Sequence, residues 1–497
     1  MWDPRRSLAA LYTLGRGAMP VVITSLRCTA CGSTFHINYF CQADDDGTQW
    51  RVYYDGLPSI VRVRHHALFE DKLCQLFRAL TVHSHSSMTA TSRVYNSTLS
   101  AETSSGWQAP HLQPKDIANA FDLYSLLLHH HEQQTRLRLP DSAPTEVDRL
   151  ATAMQDRNHF MAGTGQEQWA HACELCRKYF LHNGQEYTLS CAITDGVSIG
   201  RPCCAIHNCP NPLPSNRAHY CHVHTTLESI CAVEGCDRLV QGGKRTCDLD
   251  QHIRLESNYR AIGQSFNLLK TRLQLEGVEV EAVEVEAAEV EAAEVEAAEV
   301  EAHGMQKKAA KIKARFARRR THNEQLVVRP CGIILARGTF YGAEALGSVA
   351  DFLKTVFPAR CSLPDVLFYD NNCNFHRYIA DRPRLQEHFQ DTALVVDIFH
   401  FKSKHSENDL YCNRHCNALA YPELFDEEKK TWTFNSSACE QTNAWLNNFQ
   451  PIVREMLPVR YEFFLDEVIK ERNRHLVNEL QKRGHMPHLL PASELMD

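Results

Sequence analysis

The chain has 497 residues, 43% apolar and 23% charged, the balance of a folded protein rather than a disordered or collagen-like one. Its formal charge of −7 is local in origin: ten glutamates fall between residues 278 and 302, and setting them aside leaves about +3. That charge permits nucleic-acid binding without requiring it. No apolar run approaches the ~20 residues that span a bilayer, and residues 1–26 lack the layout of a secretory signal. The expectation is a protein that is neither membrane-spanning nor secreted. Twenty cysteines in so long a chain are too dilute for a disulfide scaffold, and several stand in close pairs near histidines. In a reducing compartment that pattern favours metal.

Residues 1–60 form a Cys-rich segment around Cys28 and Cys31, followed by Phe35, Tyr39 and Cys41. Residues 61–180 read as a helical region. Leu68, Leu73, Leu76, Phe77 and Leu80 recur at helix spacing over 65–100, residues 100–115 read as a polar loop, and further helices are expected over 115–138 and 144–162. The region closes on a second CxxC pair, Cys173 and Cys176. Residues 181–202 hold a predicted strand, Tyr187–Thr194, that runs into a turn at Asp195-Gly196.

Residues 203–256 carry an internal duplication. The first half is Cys204-x4-Cys209-x11-Cys221-x2-His224 and the second is Cys231-x4-Cys236-x10-Cys247-x4-His252. Corresponding positions are offset by 27, 27, 26 and 28 residues, and CAIHNC is echoed by CAVEGC. Each half offers three thiolates and one imidazole, a closed tetrahedral set suited to structural Zn²⁺, so at least two zinc ions are expected. Cys203, His207 and His222 lie near enough to substitute for individual ligands.

Residues 257–325 comprise a helix (254–275 by pattern), five acidic pentads from Val278 to Ala302, and a basic run from Lys307 to Arg320 with eight basic residues in fourteen. A period of five suits neither helix nor strand, so the pentads read as a spacer. The basic run reads either as a solvated helix or as a nuclear-import or phosphate-contacting segment.

From 326 to 485 strands and helices alternate. Strands are expected in Val327–Leu335, Val366–Asp370 and Ala393–Val396, and helices over Glu344–Phe357, 375–389, 437–449 and 459–483. This rhythm implies an α/β sheet with parallel pairs, in which Asp195 and Asp370 stand at strand ends, where open sheets tend to carry their sites. A third cluster follows Asp397: His400, His405, Cys412 and Cys416. It could brace an insertion through zinc, Asp397 and His400 could line an active site, or the set could be surface residues. The pairs Cys28/Cys31 and Cys173/Cys176 supply two ligands each. They could unite, or recruit a neighbour such as Cys41 or His171.

Several motifs, in this order, resemble the Kyakuja–Dileera–Zisupton (KDZ) transposases: AITDG at 192–196, RPCC at 201–204 leading into the Cys/His module, FYDNNC at 368–373, VDIFHFKSKHSENDLYC at 396–412 and ACEQTN at 438–443. The resemblance spans about residues 65–485 and is narrower to the fungal branch with associated cysteine clusters; WAHACELC at 169–176 resembles a linker motif of that branch. The N-terminal cysteine piece fits more loosely, as if the chain began partway into the family's first cluster.

The resemblance implies an RNase H-like (DDE transposase) core interrupted by an inserted Cys/His zinc module, with a mainly helical N-terminal region. Carried over position by position, the acids are Asp195, Asp370 and Glu440. They would hold two Mg²⁺ or Mn²⁺ ions for phosphodiester cleavage and strand transfer, since hard cations need clustered oxygen ligands. Asp195 and Asp370 stand 175 residues apart, and 52 remain once 203–325 are set aside, room for two strands and a helix. The implied partner is DNA, both transposon ends and target, with a homo-oligomer as a further expectation and the nucleus, otherwise the cytoplasm, as the location. Gln441 and Asn443 could reach the DNA backbone or simply face solvent.

Each acid also has a plainer reading: Asp195-Gly196 as a turn, Asp370 as an Asx-turn or helix cap, Ser437 and Glu440 as a capping box. The alternative to an enzyme is a catalytically inactive, transposon-derived zinc and DNA-binding or protein-interaction module.

Overall fold

The computed structural model describes residues 2–99, 107, 110–182, 184–275, 313–397 and 409–496. The acidic pentads, the first part of the basic run, His400 and His405 lie outside the described residues. The chain divides into two compact units, residues 1–200 with 322–497, and residues 201–321. Among the described residues no helix is long and apolar enough to cross a membrane.

Among the described residues the first unit contains two large sheets and two small two-stranded ones. The N-terminal sheet comprises β1 (Trp2–Thr13), β2 (Gly17–Cys28), β3 (Thr34–Phe35), β4 (Tyr39–Ala43), β5 (Gln49–Tyr53), β6 (Ile60–Arg64), β7 (Ala67–Glu70) and β8 (Arg138–Pro140), in the order β6-β7-β1-β2-β3-β4-β5-β8. The expectation of a mainly helical N-terminal region is corrected here: up to Glu70 it is strand. The physical reason lies in β-branched alternation. Val21 and Ile23 turn inward while Val22 and Thr24 stay exposed, and Val61 and Val63 are buried in β6. Gly17, at φ +68°, closes the β1–β2 turn, where the Thr13 hydroxyl donates to its carbonyl at 3.0 Å. Leu68, which fits the helix spacing of the residues after it, belongs to β7; the helix begins only at Asp71.

Four helices follow: α1 (Asp71–Ser84), α2 (Met88–Val94), α3 (Pro114–Glu132) and α4 (Glu146–Met161). Then come β9 (His171–Ala172), β10 (Arg177–His182) and β11 (Gln185–Val197), the central strand of the second sheet. After the inserted unit, with its helix α5 (Asp250–Leu275), the sheet continues through β12 (Asn323–Val328), β13 (Ile334–Phe340), α6 (Leu346–Val356) and β14 (Val366–Phe368). It ends with α7 (Asn372–Ala380), α8 (Pro383–Phe389) and β15 (Ala393–Val395). The helix expected over 375–389 is two helices, broken before Pro383, which disfavours helical backbone at the residue preceding it. The chain finishes with α9 (Leu410–His415), α10 (Ala438–Asn447), α11 (Pro458–Lys482) and β16 (His488–Leu489), which pairs with β9.

The second sheet has the order β13-β12-β11-β14-β15, with β11, β12 and β13 antiparallel and β14 and β15 parallel to β11. Successive side chains alternate between its faces. Cys191, Ile193, Phe368 and Val395 pack with α10 and α11, whereas Ala192, Leu335, Leu367 and Leu394 pack with α6, α7 and α8. Burial of both faces makes these strands continuous apolar runs, which is why they are readable from the sequence.

The unit of residues 201–321 is built differently. Apart from α5 and a short 3₁₀ turn at Thr225–Ser229, its described backbone forms turns and isolated bridges. Its two apolar clusters consist largely of cysteines: Cys204, Cys209, Leu213 and Cys221 in one, Cys231, Val233 and Cys247 in the other. The duplication is also structural. Ala205 N–H bonds the His219 carbonyl, as Ala232 N–H bonds that of Arg245. The end of the basic run is not a helix here. Residues 313–320 hold two isolated bridges, Ala314 to Val233 and Arg320 to Pro202, with a bend between them.

Candidate functional site

Asp195, Asp370 and Glu440 line one small pocket together with Ile193, Thr194, Tyr369, Asp397, Ser436 and Cys439. Three elements converge there. β11 carries Asp195, the turn after β14 carries Asp370, and the first turn of α10 carries Glu440. The plainer reading of the first acid does not describe what is seen. Asp195-Gly196 lies within β11, opposite Leu326 and Gln325 of β12, rather than in a turn. Asn371, not Asp370, is the N-cap of α7, and Ser437 makes no side-chain cap bond to α10. Asp397, two residues past β15, brings a fourth carboxylate to the pocket wall and is itself 5% exposed.

The first acid is held from behind. Asn443 Nδ2 donates to Asp195 Oδ2 at 2.7 Å, so this asparagine faces the acid rather than solvent. Gln441 instead accepts from Asn435 at 3.3 Å. A polar chain on β12 supports Thr194: Asn323 Nδ2 donates to Gln325 Oε1 at 3.1 Å, and Gln325 Nε2 to Thr194 Oγ1 at 3.0 Å. Burial, and then the charge of Asp195, hold the Cys439 thiol well above its ordinary pKa, so this wall is a neutral thiol. Tyr369 donates to Glu344 at 2.8 Å; burial raises the Glu344 carboxyl against the pull of that hydroxyl, and the charge of Asp370 adds to the rise.

Gly196 leaves no room for a side chain, because a Cβ there would stand 1.9 Å from Asn323 Nδ2. Gly196→Ala is therefore expected to displace the buried Asn323 amide and break its hydrogen-bond chain. The expected cost is ~1–3 kcal/mol, read as a lower unfolding midpoint by tryptophan fluorescence. All six tryptophans lie outside residues 201–321, so this signal reports on the first unit alone. An unchanged midpoint would show that Asn323 swings aside without penalty.

In the inserted unit, two groups of metal-ligating side chains form with donor atoms within 4.8 Å of one another: Cys204, Cys209, Cys221 and His224, and Cys231, Cys236, Cys247 and His252. A tetrahedral Zn²⁺ with Zn–S of ~2.3 Å and Zn–N of ~2.0 Å places S···S at about 3.8 Å and S···N at about 3.5 Å. Cys209 and Cys221 sulfurs are 3.9 Å apart, and those of Cys236 and Cys247 3.8 Å. His224 Nδ1 lies 3.3–3.6 Å from its three sulfurs, and His252 Nδ1 3.4 and 3.3 Å from Cys231 and Cys247. All twenty cysteines are free of disulfides, and these separations are those of a shared ion, so the clusters fit zinc. Cys203, His207 and His222 belong to neither group.

The second-tier candidates divide. Cys173 and Cys176 gather with His171 and with Cys331, which sequence reasoning missed. Cys28 and Cys31 join no group of three or more metal-ligating side chains among the described residues. Cys412 and Cys416 pack against Cys373 and Val396 in one buried cluster. Cys373 was also missed; it sits on α7, three residues after Asp370, where only the fold brings it to α9.

The second sheet and its pocket define a protein with clustered carboxylates at a strand-end site, joined to a Cys/His module with zinc-fitting clusters. Comparison with known families makes this more specific. Residues 3–99 match a CxC5 like cysteine cluster associated with KDZ transposases, and residues 193–258 match a CxC6 like cysteine cluster associated with KDZ transposases. Both matches support the resemblance to the KDZ family. No curated protein and no solved structure matches the chain.

Proposed function

We propose that the protein is a transposase-like nuclease with an RNase H-like core, cleaving and joining DNA strands through Asp195, Asp370 and Glu440. The observation that carries this reading is the convergence of the three acids on one pocket although they span 245 residues of chain. The strand order supports it too: an antiparallel three-strand meander followed by two parallel strands, with the first strand central, is the RNase H-like arrangement.

The donor chemistry suits a hard divalent cation, since every charged group in the pocket wall is a carboxylate, although these carboxylates are not gathered within 4.8 Å of one another as the Cys/His groups are. Asp195, Asp370 and Glu440 would hold Mg²⁺ or Mn²⁺, with Asp397 beside them. Such ions polarise the scissile phosphate and raise the acidity of the attacking water or 3′-hydroxyl. The chain's own part is positioning. Asn443 fixes the Asp195 carboxylate, and Thr194, held through Gln325, keeps β11 in place beneath it. Glu440 is exposed at the start of α10, on the open side from which DNA would approach.

Supercoiled plasmid nicking in Mn²⁺ tests the reading. Asp370→Asn is expected to lose at least ~10²–10³-fold in rate with its fluorescence unchanged, the scale of removing one transition-state electrostatic contact. Full activity in that variant would overturn the proposal. A parent protein that binds duplex DNA with a steep salt dependence, and never nicks it, would point instead to the inactive, transposon-derived module.

A further inference from the structure

We propose a third zinc site, formed by His171, Cys173, Cys176 and Cys331, that staples the turn between β12 and β13 to the segment leading into β11. It is independent of the nuclease reading. The four donor atoms lie within 4.8 Å of one another. Cys173 and Cys176 sulfurs are 3.6 Å apart, and Cys331 Sγ is 3.4 Å from His171 Nε2, again close to the tetrahedral separations of about 3.8 and 3.5 Å.

The local backbone presents these groups from two tight turns. In the first, Cys176 and Arg177 N–H both bond the Cys173 carbonyl, while Cys173 N–H points at the Cys176 sulfur at 3.1 Å. In the second, Gly332 takes φ +89°, and the N–H groups of Gly332 and Arg329 close the turn on either side of Cys331.

Cysteines packed as plain apolar residues would explain the sulfurs but not the histidine. His171 is fully buried, its Nδ1 has no hydrogen-bond partner, and its Nε2 faces sulfur. A buried imidazole so placed costs ~1–3 kcal/mol of lost solvation. Donation of the Nε2 lone pair to a metal would give that nitrogen a strong partner amid the sulfurs, while Nδ1 keeps none in either case. Charge fits as well. Three thiolates around Zn²⁺ carry a net −1, and two guanidinium groups are near, that of Arg329 buried and that of Arg472 half-buried. Arg329 acts on Cys176, and Arg472, which donates to the Gly332 carbonyl at 2.6 Å, acts on Cys331. With four protein ligands there is no open position, so this zinc is structural. Its reach is long in sequence: Cys331 is 155 residues beyond Cys176, on the far side of the inserted unit. The Cys176 carbonyl also accepts from Cys191 N–H at 3.1 Å, so the staple grips β11 four residues before Asp195.

Zinc content of the purified full-length chain, measured by mass spectrometry, tests this. Cys331→Ser and Cys173→Ser are each expected to lose one equivalent relative to the parent, and the double variant no more than one. Parental zinc content in Cys331→Ser, or loss of two equivalents in the double variant, would overturn the assignment. A readout on the parent protein does not depend on how the variants fold. Cys331 is expected to resist iodoacetamide until a chelator is added, with peptide mapping as the assay. Equal alkylation with and without chelator would equally overturn the site.

Discussion

Chelation of zinc is expected to open residues 201–275 to protease, with cuts falling between Cys204 and His252, and added Zn²⁺ but not Mg²⁺ is expected to restore protection. The reason is the poverty of this unit's own core. Each half buries a cluster made mainly of its zinc-fitting cysteines, with Leu213 or Val233 as the fully apolar addition. Ordering a backbone costs ~1–2 kcal/mol per residue, and clusters of this size recover little of it. A structural Cys/His zinc contributes an apparent ~10–16 kcal/mol at neutral pH, enough to change the balance. The two halves should respond separately, because their ligand sets share no residue. Cys221→Ser is expected to release one zinc and confine new cuts to the first half. Unchanged protease resistance after two equivalents have been removed would show that the fold stands without metal.

Replacing Glu467 by Gln is expected to destabilise the first unit by ~3–5 kcal/mol, the cost of leaving the buried Arg157 cation without its counter-charge, while Arg78 keeps Glu471. Glu467 is fully buried on α11 and takes hydrogen bonds from Arg157 of α4 and from Arg78 of α1, the latter at 3.1 Å. Two further nitrogens of Arg157, Nε and Nη1, are buried with no partner, so nothing else nearby would take over its charge. Burial alone would push the Glu467 carboxyl up, but Arg157, Arg78 and Lys470 outweigh it and hold the pKa at about 2. A depressed carboxylate contributes stability that is complete above its unfolded pKa and is lost as pH falls toward the folded one. The difference between parent and variant should therefore be constant above pH ~5 and shrink between about 4.5 and 2. Unfolding midpoints by tryptophan fluorescence across that range provide the check; a difference that ignores pH would mean the effect is one of packing, not charge.

How much of this was readable in advance follows from how far apart the cooperating residues lie in the chain. Helix spacing in Leu73 and Phe77 places α1, and the buried runs Val366–Phe368 and Ala393–Val395 are readable as strands, because the pattern sits within a few neighbours. The duplicated Cys/His spacing is equally local, each half fitting within about two dozen residues, and the structure gathers the same eight side chains. The N-terminal sheet escaped because β1 and β2 leave much of their length exposed, so the charged and polar outward residues masked a period of two.

The amino-acid order by itself settled the composition of each turn of helix, the alternation within each buried strand and the ligand chemistry of each cysteine half. Tertiary structure alone decided which distant groups meet: Asp195 with Glu440 in one pocket, Asn443 on Asp195, Cys331 beside Cys173, Glu467 between two arginines. Local preferences are set by sterics and solvation over a few bonds, and so they are written in neighbouring residues. Long-range meetings depend on sheet order and helix packing, where each contact is decided by how the whole core closes.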